Sequence, residues 1–125
     1  MLYVEKNRVG GNYMEKPLIE CLKERDWKSK EVYLSYAGTT TIEEIKTANE
    51  VVVVFKDNKE GSPVDVFGNI YVCRPMSQMW VNNYMFSDLY NVFRKMCCYV
   101  DFDTGVVTNG RNSSTDLQIF KVCWR

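Results

Sequence analysis

Asp101 and Asp103 stand two residues apart. On an extended strand that spacing turns both carboxylates to one side, where they could share a hard cation such as Mg²⁺ and support phosphodiester cleavage. The plainer reading makes them strand-end and turn carboxylates. Cys97 and Cys98, next to Arg94 and Lys95, offer a second chemistry, a thiolate nucleophile whose pKa is lowered by neighbouring cations. That route lacks a partner, because the chain contains no histidine. Ser-His-Asp and Cys-His relays and His-ligated zinc are therefore unavailable within one chain. An enzyme built on this sequence would have to use carboxylate, lysine, tyrosine or cysteine.

The other residues with chemical potential are aromatic. From Met76 to Phe102 the chain carries seven aromatic residues and four methionines among asparagines and a few charges. Such side chains supply either a core or an adaptable contact surface. Leu89, Val92, Phe93 and Met96 fall at helical spacing and are expected to face the core. Trp80, Tyr84, Met85, Phe86 and Tyr90 are too many large groups in too short a span to point one way, and some of them, Trp80, Tyr84, Phe86 and Tyr90 first, are expected to form a contact patch. With Arg74, Arg94 and Lys95 the same rings could instead stack a nucleotide or single-stranded nucleic acid, with the cations on phosphate. Asp88, Asp101 and Asp103 interrupt that arrangement. The polar run 109–115 places Arg111 among Asn, Gly, Ser and Thr donors, and it is the first place to expect a bound anion.

Composition narrows the choice. Sixteen basic and sixteen acidic side chains give zero formal net charge, so no overall field attracts a polyanion or an anionic membrane. A chain of 125 residues fits a single domain over 1–125. Five cysteines without C-x-x-C spacing match neither a disulfide framework nor a zinc site. With no signal-peptide pattern and no membrane-length apolar run, the expected location is the cytoplasm, with the cysteines as small buried groups.

The elements that must position these residues are expected to alternate between strand and helix. A short strand opens the chain, and a helix of roughly ten residues starts at Pro17. Residues 31–37 alternate as a half-buried strand. Thr41 and Glu44 have capping-box spacing for a short helix IEEIKTA. EVVVVFK, residues 50–56, reads as a central strand, and VDVFGNIYVC returns beside it as a hairpin with a bend or bulge at Gly68-Asn69. A helix is expected at about 87–98, with 77–86 left unassigned. CYVDFD, VVT and DLQIFKVCW complete the sheet. These elements predict an α+β domain, a largely antiparallel sheet packed against two or three helices.

The sequence thus predicts a noncatalytic binding protein without cofactor or metal. It would block or sequester a protein partner through Trp80, Tyr84, Phe86 and Tyr90, with Arg94 and Arg111 as flanking cations. The histidine-free, Lys- and Asn-rich composition is similar in style to small inhibitors carried by phages or mobile elements. Self-association into a homo-oligomer would use the same patch. The alternatives are a nucleotide or single-stranded nucleic-acid binder and an Mg²⁺-dependent phosphodiesterase or nuclease built on Asp101 and Asp103.

Overall fold

A computed structural model of the chain describes residues 26–57, 65–88, 90–110 and 117–125, together with the backbone of 8–9 and 12–13. Among the described residues ten strands run in order: β1 (Arg8–Val9), β2 (Asn12–Tyr13), β3 (Lys28–Leu34), β4 (Thr39–Thr41), β5 (Glu50–Asp57), β6 (Val66–Cys73), β7 (Trp80–Ser87), β8 (Val92–Asp101), β9 (Val106–Asn109) and β10 (Leu117–Trp124). The first two pair with each other. The others form two four-stranded antiparallel sheets, ordered β3-β10-β5-β6 and β4-β9-β8-β7.

This corrects the α+β expectation. Among the described residues only two short 3-10 turns, Glu43–Thr47 and Arg74–Met76, are helical, and no helix packs on either sheet. The helix expected from Pro17 lies outside the described residues. The helix expected over 87–98 is the end of β7, a turn and most of β8. Its residues satisfied a helical spacing, yet 93–102 also alternates, and it is this second period that the chain follows. Met96, Cys98, Val100 and Phe102 are buried on one side, while Phe93, Lys95 and Tyr99 lie on the other. Asn91 takes a left-handed conformation (φ 53°) in the turn joining the strands, a geometry asparagine tolerates better than most residues. The capping box is also absent. Thr41 ends β4, and Ile42 before the 3-10 turn makes no side-chain cap.

The run EVVVVFK does form an interior strand. Val51, Val53 and Phe55 face a core shared by both sheets, together with Leu117, Ile119 and Val122 of β10 and Met96, Cys98 and Val100 of β8. Val52 and Val54 turn to the other side of the sheet, where Trp27, Tyr71 and Phe120 pack against them. Burial on both faces explains why the strand is continuously β-branched instead of alternating. The 3-10 turn 43–47 buries Ile45, and Ile42 N–H donates to Gly105 O (2.8 Å). Gly105 sits at φ 77°, and a Cβ there would lie 2.4 Å from that Ile42 carbonyl oxygen, so glycine is required.

Polar side chains stitch the corners where the sheets meet. Asn83 Nδ2 donates to Asn69 O (3.3 Å), joining β7 to β6. Buried Asn109 donates through Nδ2 to Leu34 O and Leu117 O, each at 3.1 Å, tying β9 to both β3 and β10. A buried amide that found no such acceptors would be strongly destabilising. No helix among the described residues is long and apolar enough to cross a membrane.

Candidate functional site

The β7–β8 ladder decides which aromatic residues can meet a partner. Its register pairs Trp80 with Tyr99, Asn82 with Cys97, Tyr84 with Lys95 and Phe86 with Phe93. Because side chains alternate, all these pairs lie on one face of the sheet, opposite the face that carries Met85, Met96 and Cys98 into the core. Most of that outer face is open to solvent, although Cys97 near its centre is buried and Tyr99 and Lys95 are half-buried. Trp80 is 49%, Tyr84 61% and Phe93 73% exposed, and Phe86 is exposed as well. The rings contact one another edge to face: Trp80 and Tyr99 have centroids 5.0 Å apart, and Phe86 and Phe93 5.3 Å. Between these two pairs lie Asn82, Tyr84 and Lys95.

The structure therefore brings Trp80, Tyr84 and Phe86 together and adds Phe93 and Tyr99. Phe93, expected in the core, is instead the most exposed of the large apolar side chains described. Tyr99 carried no expectation. The alternation of Phe93, Lys95, Cys97 and Tyr99 was the signal that would have placed both. Tyr90 is exposed in the turn after β7, with Arg94 stacked 4.7 Å from its ring centroid. Leu89 and Arg111 lie outside the described residues.

Arg94 does not join the outer face. It lies on the inward side of β8, where its Nε is 3.6 Å from Oδ2 of the fully buried Asp57. Arg74 is also engaged by the fold. Its guanidinium donates to Ala48 O (3.1 Å from Nε, 2.5 Å from Nη2) and to Lys46 O (2.9 Å), and it stacks 5.1 Å from the Phe102 ring. Those contacts close the end of the first 3-10 turn, whose last carbonyls need donors. Neither arginine is placed to meet phosphate beside the rings.

The remaining chemical candidates are similarly committed. Asp101 ends β8 and its Oδ1 accepts from the N–H of Asp103 (2.9 Å) and of Thr104 (3.4 Å), while Asp103 Oδ2 accepts from Gln78 Nε2 (3.1 Å). The two carboxylates are turn-forming groups, and Asp103 lies beyond the strand on which a shared face was expected. No group of three His, Cys, Asp or Glu side chains gathers among the described residues. Cys98 is fully buried, and burial pushes its thiol well above the ordinary range, followed by the effect of Cys97. Cys97 is buried on the opposite side of the strand, where the space above Gly110 is so narrow that a Cβ would meet its Sγ at 2.5 Å.

The outer face of the other sheet is differently furnished. Phe120 contacts Tyr33 and Phe67 at 5.5 Å, and Lys56 and Lys121 approach the same ring. Nearby, Tyr71 Oη donates to Glu50 (2.7 Å), Arg125 Nε donates to the same carboxylate (2.8 Å), and the Arg125 guanidinium lies 4.8 Å from the Trp27 ring. Rings and charges there contact one another over buried Val52, Val54 and Cys123. A cleft of about 310 Å³ between Lys28, Glu44, Trp124 and Arg125 has charges of both signs at its walls. Neither a protein-family model, nor a curated protein, nor a solved structure matches the chain.

Proposed function

We propose that the chain is a noncatalytic binding protein that blocks or sequesters a protein partner through the outer face of β7 and β8. The observation that carries this reading is the row of four exposed rings, Trp80, Tyr84, Phe86 and Phe93, with the half-buried Tyr99 beside Trp80 on one face and Lys95 as its cation. Tryptophan and tyrosine dominate the energetics of protein interfaces, and their centres are poor in charge. Single-stranded nucleic acid needs rings beside a track of cations. Here Arg74 and Arg94 serve the fold, and the exposed rings meet each other edge to face instead of presenting parallel platforms. Buried Cys98 and Cys123 suit a reducing compartment such as the cytoplasm.

The test is a binding assay with the full chain. Protein partners captured from cell extract are identified and then titrated, purified, against wild type and Tyr84→Ser/Phe93→Ser. The double variant should lose more than about 2 kcal/mol of binding free energy, the scale of an interface hot spot. Undiminished affinity would overturn the proposal. So would salt-sensitive binding of a single-stranded oligonucleotide that displaces the partner.

A further inference from the structure

We infer that a second copy of this chain occupies the outer face of β7 and β8, in a closed two-fold dimer. The inference rests on reading this face as a protein-binding surface: the second copy covers it in the free protein, and a sequestered partner takes its place.

Three features of the face select a copy of itself. The first is area. Each aromatic side chain offers about 150–250 Å², so five rings that are on the order of half exposed present about 500 Å² of apolar surface. A stable interface takes about 800 Å² from each partner, core and rim together. Asn82 and Lys95, with Thr39 and Thr108 on the neighbouring strands, supply a polar addition of the remaining kind.

The second is symmetry of polarity. Trp80 with Tyr99 and Phe86 with Phe93 lie at opposite ends of the ladder, six residues or about 20 Å apart. The polar residues lie between them. A two-fold axis lying in the interface plane, perpendicular to the strands and over that middle, sets each ring pair on the other pair of the second copy, with Asn82, Tyr84 and Lys95 at the centre of the contact. Two sheets packed face to face in this way interleave their rings as in a sandwich core.

The third excludes the head-to-tail alternative. Stacking this face on the outer face of the other sheet would cover the Lys56–Asp65 ion pair, Lys121, Glu31 and the Glu50–Arg125 pair with aromatic rings. Removing those charges from water costs more than the rings would return. An isologous contact closes after two copies, whereas the head-to-tail one would continue into a filament. With zero formal net charge, no long-range repulsion opposes the approach of two copies.

Sedimentation velocity over a concentration series tests this with the full chain. Wild type should sediment as a dimer in the micromolar range. Phe93→Asp and Tyr84→Asp should each raise the dimer dissociation constant about thirtyfold or more, the loss expected at an interface hot spot. Phe67→Asp, on the outer face of the other sheet, should leave it unchanged. Circular dichroism melts confirm that each variant is folded, and two variants at independent positions guard against a folding defect in either. A wild type that stays monomeric at high micromolar concentration overturns the dimer and leaves the partner-binding reading to its own assay. A dimer that persists in both Asp variants also overturns it, by placing the contact elsewhere.

Discussion

The buried carboxylate of Asp57 at the end of β5 lies 3.6 Å from Arg94 Nε on β8, so an ion pair links the two sheets across the interior. At that distance the contact is electrostatic more than hydrogen-bonded. Its energetics are asymmetric, since removing one partner strands the other in a poorly solvating environment.

Arg94→Met should therefore destabilise the fold by about 3–5 kcal/mol, and Asp57→Leu combined with Arg94→Met by much less than the sum of the single changes. Urea unfolding of the two single variants and the double variant gives the coupling directly. Additive losses would show that the two side chains act independently.

The Tyr71, Glu50 and Arg125 chain makes a prediction about pH. Burial, reinforced by the hydrogen bond to Glu50, pushes the Tyr71 phenol from its ordinary 10.0 up to about 12. A folded-state pKa above the unfolded one means that the contribution is complete below pH 10 and disappears as the pH rises toward 12. Burial alone would raise Glu50, but the hydrogen bonds from Tyr71 and Arg125 outweigh it and hold the carboxyl below its ordinary 4.5. Its contribution is present above pH 4.5 and fades as the pH falls below that value. In chemical unfolding across pH, Tyr71→Phe should show a shallower alkaline loss than wild type and, lacking the hydroxyl, a shallower acid loss as well. Parallel curves for the two proteins would contradict the linkage.

Gly68 on β6 lies close against Met85 and Met96 of the other sheet. A Cβ there would sit 2.8 Å from Met85 Cβ and 2.8 Å from Met96 Sδ, one a rigid atom and the other part of the packed core. Gly68→Ala should cost about 1–3 kcal/mol through overpacking, visible as a lower urea midpoint with an unchanged slope. The bend or bulge expected at Gly68-Asn69 from the sequence does not disturb the pairing, since the β5–β6 ladder runs through it in unbroken register, and the glycine answers to that close approach instead.

What the sequence made legible was local. The continuous Val run of β5 and the alternation of β10 read directly as strands, and Trp80, Tyr84 and Phe86, a surplus of large rings in a short span, are exposed together. β8 was misread because Leu89, Val92, Phe93 and Met96 satisfy a helical period while the longer run to Phe102 satisfies a strand period, and short apolar segments do not separate the two. The roles of Arg74, Arg94 and Asn109 were hidden for a different reason. Their partners are remote in sequence, as with Asn109 and Leu34, 75 residues apart. Each of these polar groups looked available for a ligand until the fold supplied its partner.

The strand assignment of 92–101 and the open face it creates can be tested together with two phenylalanines nine residues apart. Phe93 points outward and is mostly exposed, whereas Phe102, just beyond β8, is fully buried against the Arg74 guanidinium. Phe93→Ser should leave the stability of the isolated chain within about 0.5 kcal/mol of wild type, the usual range for an exposed position. Phe102→Ala should cost about 3–5 kcal/mol, the range for a large aromatic removed from a core. If a helix instead turned Leu89, Val92, Phe93 and Met96 toward the core, Phe93→Ser would be the damaging change of the two. Urea denaturation at a concentration low enough to suppress association separates these outcomes, because any contribution of Phe93 through self-association then drops out. A large loss from Phe93→Ser under those conditions would mean that the ring row is part of the core, and the case for a binding face would fall with it.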